Sequence, residues 1–204
     1  MAQEWLTLTI GTILVNNFVL SRFLGICPFL GVSRKLGPAL GMSGAVIFVM
    51  TIASFFASII FNYILTADIS FQIAGYTITG NLMFMKTLVF IAVIASLVQV
   101  VEISLQKLSP PLYASLGIYL PLITTNCAVM GMVVINADAL RGVFQSVVFG
   151  FCSGLGFALA LILFASLREK LDLAKVPKAF EGMAIALITG GILAMGFTGF
   201  SALV

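Results

Sequence analysis

Cysteine has the widest chemical reach of any residue type in this sequence, and each of the three, Cys27, Cys127 and Cys152, lies in an apolar segment. Histidine is absent. Imidazole-ligated haem, His-based zinc sites and every Ser-His or Cys-His mechanism are thereby excluded, leaving thiolate, carboxylate, amide and backbone chemistry. Three cysteines without secretory context do not suggest a disulfide framework.

Two of the thiols share a pattern. Cys27-Pro28-Phe29-Leu30-Gly31 and Cys127-Ala128-Val129-Met130-Gly131 both read C-x-x-x-G, half the chain apart. Such self-similarity marks an internal duplication, about 1–107 and 108–204. A repeat of three membrane spans is odd, so the second copy enters from the opposite face, and a pseudo-two-fold axis lies in the membrane plane. Cys152, in Phe151-Cys152-Ser153-Gly154, has no counterpart and is expected to pack as a small apolar residue. An iron–sulfur cluster ordinarily takes four thiolates, and the usual C-x-x-C spacing is missing. Two symmetric cysteines are half a set. A cluster would therefore be shared, between two copies of this chain or with a homologous partner; a Cys27–Cys127 disulfide is the alternative that needs no metal.

The elements that must hold these thiols are hydrophobic helices. Of 204 residues, 61% are hydrophobic and 8% charged, and the mean hydropathy is +1.21, which leaves too little polar surface to clothe a water-soluble globule. Charges cluster between apolar runs instead of recurring along one helix face. Runs near 20 residues predict an all-α integral membrane domain over 1–204, with spans at about Leu6 to Val32, Gly41 to Leu65, Met83 to Leu105, Leu112 to Ile135, Val143 to Leu167 and Met183 to Leu203. The first run lacks a basic leader and a small-residue cleavage site, so it is expected to be retained. The loops after spans one, three and five carry Arg34, Lys35, Lys107, Arg168, Lys170, Lys175 and Lys178, against Lys86 and Arg141 opposite. The positive-inside rule then puts both termini on the outer, non-cytoplasmic face. This basic charge is topology information, not a nucleic-acid footprint.

Spans one and four are expected to be interrupted. Gly25 lowers helix propensity, and Pro28 lacks an N–H and would clash with the Leu24 carbonyl of a continuous helix. In span four Pro121 acts on Gly117 in the same way, while Thr124, Thr125 and Asn126 put polar side chains beside Cys127. Broken helices at matching places in two halves point to a functional midplane site. Taken singly, a proline kink packed for shape is the plainer reading. Among the remaining polar residues, Asn16 and Asn17, about three helical turns before Cys27, suit helix-to-helix hydrogen bonding more than an ion path. Arg22 is costly facing lipid and would raise a nearby cluster's potential, although snorkelling or pairing is its commoner role. Glu102 is within reach of the interface beside Lys107, and an ion-coupling carboxylate is its sharper reading.

Several stretches carry a family resemblance: Val15-Asn16-Asn17-Phe18-Val19-Leu20, Phe23 to Ser33, Pro111-Leu112-Tyr113, Leu116 to Val129 and Arg168-Glu169-Lys170. They resemble the Rnf family of membrane subunits, in its A branch, with a wider superfamily that includes subunits D and E of the sodium-pumping NADH:quinone reductase. The resemblance implies a six-span subunit of a bacterial or archaeal cytoplasmic-membrane complex of the ferredoxin:NAD⁺ oxidoreductase type, which couples electron flow to Na⁺ or H⁺ translocation. It implies an oppositely inserted homologous partner, Rnf E, beside subunits B, C, D and G. It further implies a [2Fe–2S] cluster to which each of the two homologous chains gives two cysteines, here Cys27 and Cys127. No flavin or NAD is expected on this chain alone, since it has no Gly-rich dinucleotide fingerprint. The rival class is a secondary transporter, which shares inverted repeats and broken helices but would place coupling carboxylates where this sequence has cysteines.

Overall fold

A computed structural model describes residues 2–65, 71–73, 76–78, 86–108, 122–123, 125–139, 141–174, 177 and 180–200. In chain order these form α1 (Ala2–Ile10), a π-helical turn (Gly11–Val15), α2 (Ile26–Val32), α3 (Leu36–Ile60) and a second π-helical turn (Phe61–Leu65). A small antiparallel hairpin follows, β1 (Phe71–Ile73) and β2 (Tyr76–Ile78), with Gln72 opposite Thr77. Then come α4 (Lys86–Leu108), α5 (Cys127–Asp138), α6 (Val143–Asp172) and α7 (Met183–Thr198). Apart from the hairpin, the regular elements among the described residues are helices. Leu36–Tyr63, Lys86–Ser104 and Val143–Asp172 are long and apolar enough to cross a membrane, while Trp5–Val15, Cys127–Asp138 and Met183–Thr198 are shorter apolar helices.

The centre of the molecule is the α3–α6 pair, and small residues bring it together. A Cβ placed on Gly150 would lie 2.6 Å from the Ser54 Cβ, and one on Gly154 would lie 2.9 Å from the Ile47 Cα. This small-xxx-small spacing lets two backbones approach closely where lipid offers no hydrophobic drive for association. Polar groups then lock the pair. Ser54 Oγ donates to the Ser146 carbonyl, and Asn136 Nδ2 of α5 donates to Ser54 Oγ at 3.0 Å. Around this seam the buried core includes Met42, Met50, Met132, Phe157, Leu161 and Phe164.

Span one is interrupted, as the sequence predicts, but the break does not lie at its proline. Pro28 sits in the first turn of α2 and is buried there. In a first turn the missing N–H costs nothing, because that donor has no intrahelical partner anyway. The chain instead leaves the helix at Asn16 and re-enters it after Phe23 (φ +54°) and Gly25 (φ +84°). Counting helical turns from Asn16 to Cys27 therefore fails, since the intervening residues are not helical. In span four, helix α5 starts at Cys127 and runs on through Asn136, Ala137 and Asp138, residues whose types alone suggest a loop. Pro121 and Thr124, like Lys175 and Lys178, lie outside the described residues.

Candidate functional site

Cys27 and Cys127 both stand in the first turn of a helix, Cys27 as the second residue of α2 and Cys127 as the first of α5. Local sequence explains each start. Gly25 caps α2 from the left-handed region, a conformation that costs an L side chain energy and glycine nothing. Asn126 caps α5, its side-chain oxygen accepting the Ala128 N–H at 3.0 Å.

The two starts touch. The Gly25 N–H donates to the Cys127 Sγ at 2.9 Å, and Gly25 precedes Cys27 by two residues. A Cβ on Gly25 would fall 3.1 Å from both the Ala128 Cβ and the Asn126 Oδ1, and 2.8 Å from the Phe157 ring. The motif glycines pack reciprocally. Gly131 faces Leu24, just upstream of Cys27, and Gly31 faces Leu122, upstream of Cys127. At Gly131 a Cβ would come within 2.5 Å of the Leu24 Cδ1, so glycine there lets α5 lie against the segment leading into Cys27, whereas a Cβ on Gly31 would meet the Leu122 Cδ1 at an ordinary contact distance of 3.9 Å.

Electrostatics at this junction favour a negative centre. Helix starts expose unpaired N–H groups and the positive end of the peptide dipoles. No acidic side chain lies within two residues of either cysteine. Asn126 is buried and its Nδ2 has no partner, the one such buried side-chain atom found among the described residues. Cys27 and Cys127 are exposed free thiols, whereas Cys152 is buried in α6. Cys27 opens onto a surface hollow of about 490 Å³ that also meets Gly31, Arg34 and Met183. Among the described residues, no three His, Cys, Asp or Glu side chains come together as a metal site.

The other residues singled out by sequence divide clearly. Asn17 is buried glue: its Nδ2 donates to the Gly156 carbonyl of α6 at 2.6 Å, and its Oδ1 accepts the Val19 N–H at 3.1 Å. Asn16 and Arg22 line a different hollow from that of Cys27. Thr125 lies in the turn before the Asn126 cap. Glu102 is half-buried on α4 and makes no ion pair with Lys107, which at five positions away lies about 140° around the helix.

Two contributors are not evident from the sequence. Arg168, which reads there as a topology charge, is buried, and its guanidinium donates to the Leu30 carbonyl at 2.8 Å and the Ser33 Oγ at 3.0 Å. It ties the C-terminal end of α2 to α6, beside the stacked rings of Phe29 and Phe164, whose centroids are 4.1 Å apart. Gly25 reads as a helix breaker but not as the donor to sulfur. Its place two residues before one cysteine is the available signal.

An apolar helical bundle with interrupted cysteine-bearing segments is the architecture of a polytopic membrane subunit. The family profile described as Rnf-Nqr subunit, membrane protein, matches residues 5–204, and the chain belongs to that family. It is 50% identical over 201 residues to the A subunit of the ion-translocating oxidoreductase complex of Pasteurella multocida, covering 98% of each chain. The same identity and coverage hold for the A subunits of that complex from Escherichia fergusonii and Escherichia coli K12.

Proposed function

We propose that this chain is the A-type membrane subunit of an ion-translocating oxidoreductase complex. In this reading Cys27 and Cys127 provide two of the four thiolates of a [2Fe–2S] cluster, and a homologous E-type subunit in opposite orientation provides the others. The observation that carries it is the 2.9 Å hydrogen bond from Gly25 N–H to Cys127 Sγ, which joins the starts of the two cysteine-bearing helices. The donor set fits. Two thiols are exposed at one junction with helix N-termini and no carboxylate beside them, and a third ligand within the chain is not at hand among the described residues.

When bound, such a cluster supplies one-electron transfer. The chain's own residues set the conditions for it. Backbone N–H donation to a ligand sulfur stabilises added negative charge and so raises the potential. The α2 and α5 dipoles act in the same direction. Asn126 holds the start of α5, and Arg168 anchors the far end of α2, fixing both thiols. The facing of Gly31 and Gly131 towards Leu122 and Leu24 supports two inverted three-helix repeats, the apolar runs near 20 residues support six spans, and the charge pattern supports both termini outside. Na⁺ or H⁺ coupling, EC class 7 chemistry and partnership with subunits B, C, D, E and G belong to the same proposal.

The test is anaerobic purification of the intact complex, followed by visible absorption and reduced-state EPR. A [2Fe–2S] signal that Cys27→Ser and Cys127→Ser each abolish, in assembled complex, supports the reading. A signal unchanged in both variants overturns it, as does wild-type complex without a signal of this type that Cys27 and Cys127 control.

A further inference from the structure

Away from the cysteines, an open cleft of about 720 Å³ lies between α1, its π-helical turn and the connection from α5 to α6. That is ample for a small ligand or a lipid headgroup, for which pockets run to about 300–1,000 Å³. Its polar lining includes Gln3, Thr7, Asn16, Arg22 and Arg141, and Phe149 forms part of an apolar wall.

The charge balance of this cleft is one-sided. Arg22 makes no hydrogen bond or ion pair among the described residues, and no acidic residue lines the cleft among them. Arg141 is half-buried, sits 4.1 Å over the Phe149 ring and donates to the Asn136 Oδ1 at a long 3.4 Å. The acid nearest to it in sequence, Asp138, is paired with Lys86. Burial without a counter-charge lowers the pKa of the Arg141 guanidinium. Arg141, a half-buried cation left without a carboxylate, is costly unless an anion completes it, whereas Arg22 is exposed. Two arginines around one concavity repel cations and concentrate anions, and the planar guanidinium fork matches phosphate oxygens. The apolar wall adds a surface for a chain attached to that phosphate.

We propose that this cleft is a binding site for a phosphate group, held by Arg22 and Arg141 and carried by an anionic phospholipid or free in solution. The site is independent of the metal reading, and it removes Asn16 and Arg22 from any cation path. Two arms applied to the intact complex separate the sources. In the first, the complex is placed in nanodiscs containing photoreactive phosphatidylglycerol, irradiated, and this chain is mapped for labelled peptides. A lipid occupant labels the cleft segments, is displaced by unlabelled phosphatidylglycerol but not by phosphatidylcholine, and falls about tenfold in Arg22→Gln with partial rescue in Arg22→Lys. In the second, equilibrium dialysis with radiolabelled inorganic phosphate detects a soluble occupant, bound by wild type and about tenfold more weakly by Arg22→Gln. Because Arg22 is exposed and makes no internal bond among the described residues, its replacement leaves the fold intact, which thermal unfolding checks. The proposal is overturned if neither lipid labelling of the cleft nor phosphate binding depends on Arg22.

Discussion

Replacing Gly25 by alanine puts a single methyl group at the point where the two cysteine-bearing turns meet. The residue has φ +84°, and holding alanine in that region costs about 1–2 kcal/mol. The new Cβ would also lie 2.8 Å from the ring of Phe157 and 3.1 Å from the Ala128 Cβ. Phe157 is fully buried, so its ring cannot swing away, and such overpacking costs roughly 1–3 kcal/mol. Together these terms give about 2–5 kcal/mol, or a factor of roughly 30 to several thousand in the folding equilibrium. The natural control is Gly44→Ala in α3, where nothing lies within 4 Å of the added Cβ. Glycine costs about 0.5–1 kcal/mol relative to alanine inside a helix, so that variant is expected to be slightly more stable. Unfolding by SDS in mixed micelles, followed by far-UV circular dichroism, reads both, and iron content of the assembled complex reads the junction itself. The reasoning is refuted if Gly25→Ala unfolds within about 0.5 kcal/mol of wild type, the range of a substitution away from any special feature, and retains full iron.

Three further variants probe single contacts. Asn17→Leu removes the donor to the Gly156 carbonyl and the acceptor of the Val19 N–H, and leaving these buried groups unpaired costs about 1–3 kcal/mol, measured by the same SDS titration. Arg168→Met strands the Leu30 carbonyl and Ser33 Oγ for roughly 1–3 kcal/mol, and by loosening α2 it broadens the EPR signal assigned to the junction without abolishing it; an unchanged line shape and stability would count against the anchoring role. Cys152→Ala leaves iron content and EPR spectrum as in wild type and lowers stability by about 1 kcal/mol, since a buried free cysteine acts as a small apolar residue. Loss of the signal in that variant would make Cys152 a ligand.

Membrane helices and the interruption of the first span are readable in the sequence because each is a local property. Apolar runs report burial in lipid, and Gly25 reports a weak helical position. The expectation that Cys27 and Cys127 act as a pair rests on their matched motifs, and the structure adds what spacing cannot express: that Gly31 and Gly131 each face the other motif's approach segment. The expectation of a break at Pro28 fails for a physical reason. A proline breaks a helix only if a turn precedes it, and whether one does depends on where the helix starts. That start is set upstream by Gly25, whose left-handed conformation leaves no periodic trace. Arg168 escapes sequence reasoning for a related cause, because a basic residue at the end of an apolar run looks like a topology signal unless its partner is known. That partner, the Leu30 carbonyl, is 138 positions away in sequence. The Asn126 cap, in contrast, is open to recognition from residue type alone, as asparagine directly before an apolar helix is a favoured start.

The most direct measurement is anomalous scattering at the iron absorption edge from crystals of the intact complex. The account predicts a two-iron peak at the junction of α2 and α5, within bonding distance of the Cys27 and Cys127 sulfurs and of two sulfurs from a partner chain. Clear density for both side chains, with iron located only elsewhere in the complex, would contradict it.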